Sequence, residues 1–213
     1  MAVVGIVPAA GSGERLGASE PKAFALCAGR PLLDWSVDVL GDVCDRVVVA
    51  VPAGHEDGRD RVRGGSSRSA SVREALRVAP EATTVVVHDA ARPLLERELV
   101  MRCLAALAQG YDGAVAAARM TDTVKQADRD GRVLRTLERA SLWSVQTPQA
   151  FRADALRRAL DVDDETLAAA TDDASLVETA GGSVCVVEAP PENVKVTRAV
   201  DLELAGTLLL AAR

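Results

Sequence analysis

Arg15 and Lys22 stand seven positions apart in a stretch rich in glycine and alanine, "PAAGSGERLGASEPK" at residues 8–22, and they are its only cations. Missing side chains let backbone N–H groups approach a ligand, and cations set beside such a loop offset negative charge on that ligand. The chemistry this spacing suits is the handling of phosphates. Two common phosphate loops are excluded. The dinucleotide fingerprint G-x-G-x-x-G has Leu16 at its third glycine position, and the Walker pattern has Ala18 after Gly17 where a lysine is required. Read alone, the loop also fits a tight strand-to-helix turn with two solvated cations.

A second set of polar residues follows an apolar run: "HDAARP" at residues 88–93 places Asp89 and Arg92 where a strand should end. From the residues alone, Asp89 suits either the hydroxyls of a substrate or a share in a divalent ion, and an Asp–Arg pair serving only its own loop is the other reading. His88 is expected to be a packed strand-end residue with no partner supplied.

The elements that must position these residues are legible as an alternation. Runs at residues 3–7, 46–51, 83–88, 113–118 and 183–188 are short, β-branched or alanine-rich, and apolar on both faces, as buried parallel strands are. Amphipathic patterns separate them at residues 31–42, 69–79, 96–110, 151–160 and 172–182, and a last helix is expected from residue 200. Thr171 is the expected N-cap of the fifth pattern, and Gly181 with Gly182 its stop. Such alternation implies right-handed βαβ units, hence an α/β domain with a mostly parallel sheet flanked by helices. In such a sheet ligands bind beyond the carboxyl ends of the strands, where the glycine loop falls. One segment departs from the pattern. Residues 121–143 alternate polar and apolar types around Asp130-Gly131, a hairpin signal, and carry too many charges for a central strand. A protruding β-hairpin arm is expected, packed against something else, most simply a second subunit. Its cations Arg129, Arg132 and Arg135 suit an edge protected against aggregation.

Composition bounds the partners. A formal charge of −6 argues against nucleic acid or an anionic membrane, so any bound anion must be met by a few local cations. The four cysteines form no C-x-x-C pair and there are only two histidines, which speaks against a Cys/His metal site and for a reducing, cytoplasmic compartment. No run is long enough to span a bilayer, and the opening residues lack the basic start of a signal peptide.

The glycine loop with Arg15 and Lys22 resembles the G-x-G-x-R…PK signature of nucleotidyltransferases. The ordered series "GGSSRSASV", "HDAARP", "DTVK", "TPQAF", "TDDAS" and "NVKVT" resembles the 2-C-methyl-D-erythritol 4-phosphate cytidylyltransferases of the non-mevalonate isoprenoid pathway, from about residue 3 to the last helix. The resemblance implies one Rossmann-like nucleotidyltransferase domain over residues 1–213, dimerising through the arm. It implies transfer of a cytidylyl group from CTP to methylerythritol phosphate, assisted by Mg²⁺ or another divalent cation whose protein ligands it leaves unknown. Arg15, Lys22, Arg139 and Lys195 are then the catalytic cations. Pro8, Ala9, Ala10 and Gly11 lie along the nucleotide, with Gly65, Ser66, Arg68 and Ser71 at its cytosine end. Asp89, Arg92, Thr123, Thr147 and Thr171 face the substrate, Thr123 and Arg139 reaching in from a neighbouring subunit.

Three other readings stand beside this one. A ribitol or other polyol-phosphate cytidylyltransferase would have a similar loop and hairpin. A nucleotide-binding regulator without catalysis would be expected to lack the four cations. A sugar-1-phosphate nucleotidylyltransferase would need a longer chain.

Overall fold

The computed structural model describes residues 2–11 and 21–211. Arg15, and with it the middle of the glycine loop, lies outside the described residues.

Strand β1 (Val3–Pro8) is the hub. It pairs in parallel with β4 (Arg46–Val51) on one side and β6 (Thr84–Val87) on the other. Its side chains alternate between two cores, because successive residues of a strand point to opposite faces. Val4 and Ile6 enter one core with α2 (Arg68–Arg77), α4 (Ala153–Leu160) and α6 (Asp173–Thr179). Val7 enters the other with α1 (Leu32–Gly41) and α3 (Arg97–Leu107). Covered on both faces, the strand carries no polar residue, and this is why its pattern was readable.

The main sheet has seven strands. It adds β5 (Arg61–Arg63) beside β4 at one edge and β7 (Gly113–Arg119) beside β11 (Val184–Glu188) at the other, both pairs parallel. Between β6 and β7 runs β10 (Trp143–Arg152), antiparallel to both. The mostly parallel sheet is as expected. The expectation of a helix from Phe151 is not met, since Phe151 pairs with Val85 and with Gly113 inside β10 and the helix starts at Ala153. Gln146, Thr147 and Gln149 are buried, so the usual apolar signature of a central strand is missing. Pro148, which has no N–H for the ladder, falls where the register shifts between Val145 and Gln149.

Helix α6 is capped by Asp172, whose carboxylate accepts from the Ser175 N–H at 2.9 Å, and not by Thr171, which is exposed one residue earlier. Smaller elements join these. A short hairpin joins β2 (Leu26–Cys27) to β3 (Arg30–Pro31), α5 (Asp164–Ala169) precedes α6, and α7 (Ala199–Ala211) packs against β2 through Cys27 and Ala205.

Residues 125–136 form their own two-stranded antiparallel sheet from β8 (Lys125–Ala127) and β9 (Val133–Thr136), exposed throughout. Its turn is closed by Asp128, whose carboxylate accepts from the N–H groups of Asp130 and Arg132 while Gly131 takes a φ of +83°. The Asp130-Gly131 signal therefore marks a hairpin, with the glycine alone in the left-handed region.

Candidate functional site

The carboxyl ends of β1, β5 and β6 face one cleft of about 610 Å³. Pro8, Ala9, Ala10 and Gly11 enter it from the end of β1, and Gly65, Ser66, Arg68 and Ser71 from the turn into α2. Asp89 enters after β6, Lys195 comes from the segment between β11 and α7, and Lys22 stands at the far end of the glycine loop. Eleven of the sequence-expected residues are thus brought together by loops at one end of the sheet.

The turn into α2 is narrow for a steric reason. A Cβ on Gly64 would lie 2.4 Å from the Ala10 Cβ, and one on Gly65 2.6 Å from the Ala70 Cβ. Only glycine lets the two loops meet. Ser67 caps α2 by accepting from the Ala70 N–H, while Ser71 accepts from the Gly65 N–H at 3.1 Å and donates to the Ser67 carbonyl at 2.8 Å. Ser71 therefore braces the turn as well as lining the cleft.

Beside this turn, charge is arranged in a chain. The Lys195 Nζ donates to Asp89 Oδ2 at 2.6 Å, and the Arg68 Nε donates to Asp89 Oδ1 at 2.8 Å. Arg68 also donates through Nη1 to Asp173 Oδ2 at 2.5 Å. Asp173 is wholly buried and was not singled out by sequence reasoning, although it belongs to the "TDDAS" segment. Burial of Asp89 opposes its ionisation, but the Arg68 guanidinium and the Lys195 ammonium outweigh this and hold its carboxyl far below the usual carboxylate range. Burial likewise disfavours the charge on Arg68, and the two carboxylates more than restore it.

Several expected substrate contacts lie elsewhere. Arg92 is buried behind the cleft, where its Nη1 donates to the Asn193 carbonyl at 2.6 Å. Thr147 is buried too, its Oγ1 accepting from the Asp89 N–H at 3.0 Å. Thr171 is exposed and does not line the cleft. Thr123 and Arg139 line a separate groove of about 410 Å³ beside the hairpin, with Arg139 donating to the Thr121 carbonyl. His88 does have partners. Its Nε2 lies 3.0 Å from the Arg92 carbonyl and its Nδ1 3.0 Å from Thr147 Oγ1.

The cleft offers a divalent cation little. Among the described residues no group of three or more His, Cys, Asp or Glu side chains comes together, and both oxygens of Asp89 are taken by cations. The described residues by themselves do not form a preformed divalent site.

His88 makes the fold sensitive to mild acid. Burial pushes its pKa down from 6.5 to about 4. Between these values the unfolded chain binds a proton that the native chain refuses, so stability rises with pH across that window and falls on acidification. From pH 6.5 to pH 5 the unfolding free energy is expected to drop by about 1.6 kcal/mol from this group. Urea unfolding of the native chain and of a His88→Phe variant, compared across these pH values, checks this: the variant should show the flatter profile.

Comparison with known proteins adds the family. The family profile described as 2-C-methyl-D-erythritol 4-phosphate cytidylyltransferase matches residues 3–211. A protein of that name from Frankia casuarinae is 45% identical, over 97% of this chain and 81% of the relative. One from Nocardia farcinica is 44% identical, over 97% and 94%. The crystal structure of the Thermus thermophilus enzyme of that name superposes with a TM-score of 0.81 at 38% identity, covering 98% of both chains. That of Francisella tularensis gives 0.82 at 32% identity, covering 97% of this chain and 99% of the other. With a profile match over nearly its whole length and relatives at 44–45% identity, this chain belongs to the 2-C-methyl-D-erythritol 4-phosphate cytidylyltransferase family.

Proposed function

We propose that the chain transfers the cytidylyl group of CTP to 2-C-methyl-D-erythritol 4-phosphate, releasing pyrophosphate, as the family to which it belongs implies. The observation that carries this reading is one cleft in which glycine-built loops face the cations Lys22, Arg68 and Lys195 on a protein of net charge −6.

The nucleophile is a phosphate monoester, largely dianionic at neutral pH, so no general base is needed. One of its oxygens forms a bond to the α-phosphorus of CTP. The bond from that phosphorus to the oxygen bridging the β-phosphate breaks, and pyrophosphate leaves with the electron pair. The barrier is partly the approach of two polyanions, and the protein lowers it by positioning and charge neutralisation. Pro8–Gly11 and the Gly64–Gly65 turn offer backbone to the nucleotide. Lys22, with Arg15 from outside the described residues, offsets charge at the triphosphate. Lys195 takes the acceptor's phosphate and Asp89 its hydroxyls. With Arg68 held by Asp89 and Asp173, its role is to orient Asp89 rather than to reach the base. A divalent cation such as Mg²⁺ would offset further charge on the triphosphate, and among the described residues no side-chain cluster is set to hold it.

Thr123 and Arg139 complete the proposal as residues of the arm at about 121–143, serving the cleft of a second copy while a single domain, residues 1–213, supplies the rest. Their separate groove and the exposure of both hairpin strands support this. A cytoplasmic location is proposed in line with four free cysteines, and among the described residues no helix is long and apolar enough to cross a membrane.

The direct test is a panel of CTP with methylerythritol phosphate and with ribitol 5-phosphate, the product read by phosphorus NMR. A cytidine diphosphate diester should form rapidly with the first; preference for ribitol 5-phosphate would overturn the assignment. Lys22→Ala is expected to lower kcat by about 10²–10³ with a much smaller change in CTP affinity, measured by steady-state kinetics and titration. Removing residues 125–135 should give a monomer that still binds CTP but turns over poorly. Sedimentation showing an unchanged dimer would count against a shared site.

A further inference from the structure

We propose that His88, as the neutral imidazole with its proton on Nε2, is a positioning residue that fixes the turn presenting Asp89 to the acceptor substrate. What Asp89 faces rests on the functional reading above; the hydrogen-bond chain does not.

The direction of every proton in that chain is determined. The Arg92 carbonyl only accepts, so the His88 Nε2 at 3.0 Å must donate to it. The Nδ1 is then a bare lone pair and needs a donor. Thr147 Oγ1, 3.0 Å away, already accepts from the Asp89 N–H at 3.0 Å, and its own hydroxyl proton goes to Nδ1. The other tautomer would set a lone pair against the Arg92 carbonyl. An imidazolium would put an N–H against Thr147 Oγ1 and oblige the hydroxyl to turn away. Only one state satisfies all four groups.

That state grips both ends of one turn. The Asp89 N–H is held by Thr147, the Arg92 carbonyl by His88, and the Arg92 N–H closes the turn onto the Asp89 carbonyl at 3.0 Å. The Asp89 carboxylate leaves this fixed turn towards the cleft. The same strand position anchors the other side. Asn193 donates to the Thr147 carbonyl and to Gln146 Oε1, both at 2.8 Å, and its own carbonyl receives Arg92. Lys195 follows two residues later. Asp89 and Lys195 are therefore aimed from behind by one buried network in which His88, fully enclosed and absent from the cleft lining, is a member. Charged groups facing the ring are Asp89, which favours protonation, and Arg92 and Arg68, which oppose it.

The chain has only two histidines, His55 and His88, so histidine-selective ¹⁵N labelling gives a readable spectrum, with His55→Gln used for assignment. The intact protein at pH 7 should show His88 protonated on Nε2 alone, unchanged on acidification to about pH 5.5. An Nδ1-protonated or cationic ring at pH 7 overturns the proposal. Kinetics supply the second readout. His88→Phe keeps a flat ring without either hydrogen bond and is expected to raise KM for the acceptor phosphate about tenfold and lower kcat, while KM for CTP stays within about twofold. His88→Gln keeps a donor for the Arg92 carbonyl and should fall between. Combined with Thr147→Val, His88→Phe should add little to the worse single variant, because both break one chain. Additive losses, equal rises in both KM values, or a fall in kcat with both KM values unchanged would each overturn it. Should the Phe variant not fold, the Gln variant and the spectrum decide. A native chain without cytidylyl transfer would instead overturn the functional reading, and the spectrum would still judge the network.

Discussion

A single carboxylate held between an ammonium and a guanidinium organises the cleft. Asp89 is almost wholly enclosed, and an ionised acid in that position is untenable without partners. Lys195 and Arg68 supply them, and Arg68 is in turn held by Asp173, giving an alternating row of four charges. Buried ion pairs of this kind add little net stability, yet removing one member leaves a charge stranded at about 3–5 kcal/mol. The row's contribution is therefore orientation. It fixes where a negative and a positive group face the cleft, on a protein whose overall charge would repel a phosphate.

The sheet makes this arrangement reachable. Parallel strands end on the same side, so β1, β5 and β6 deliver their loops to one place although the residues involved are far apart in the chain. The loops can then close on one another because Gly64 and Gly65 carry no Cβ to meet Ala10 and Ala70. Apolar alternation along β1 fixes which face each side chain takes, and a slip by one residue would exchange the two cores. Position in the cleft is thus inherited from core packing, and the chemistry occupies only the ends of the strands.

What the sequence disclosed follows from the same division. Strands covered on both faces announced themselves as apolar runs, and the loops that follow them announced themselves through glycine and paired charges. β10 did not, because its buried Gln146, Thr147 and Gln149 find hydrogen-bond partners that only the fold brings near. Gln149 meets Asp172, and Thr147 meets His88 and the Asp89 N–H. The same holds for Asp173, whose partner Arg68 is 105 positions away, so no local spacing could mark it. Arg92 and Thr147 were legible as polar residues in specific motifs, but a motif does not say which way a side chain points. Both point inward, where they shape the turn instead of facing the cleft.

Pairing Lys195 with Asp89 does not remove the lysine from service. An ammonium carries three donors, and Asp89 accepts from one of them at 2.6 Å, so a phosphate can approach the same nitrogen without breaking the pair. A lysine waving freely in solvent would offer the same charge, but ordering its four-carbon stem on binding costs up to about 2 kcal/mol in lost rotamers. Here that ordering is completed during folding, and the side chain still keeps 44% of its surface exposed to meet a ligand. The acid beside it weakens the local field somewhat and in exchange fixes the cation's place. For a reaction whose barrier is the meeting of two anions in line, a cation held in one place serves better than a stronger but mobile one.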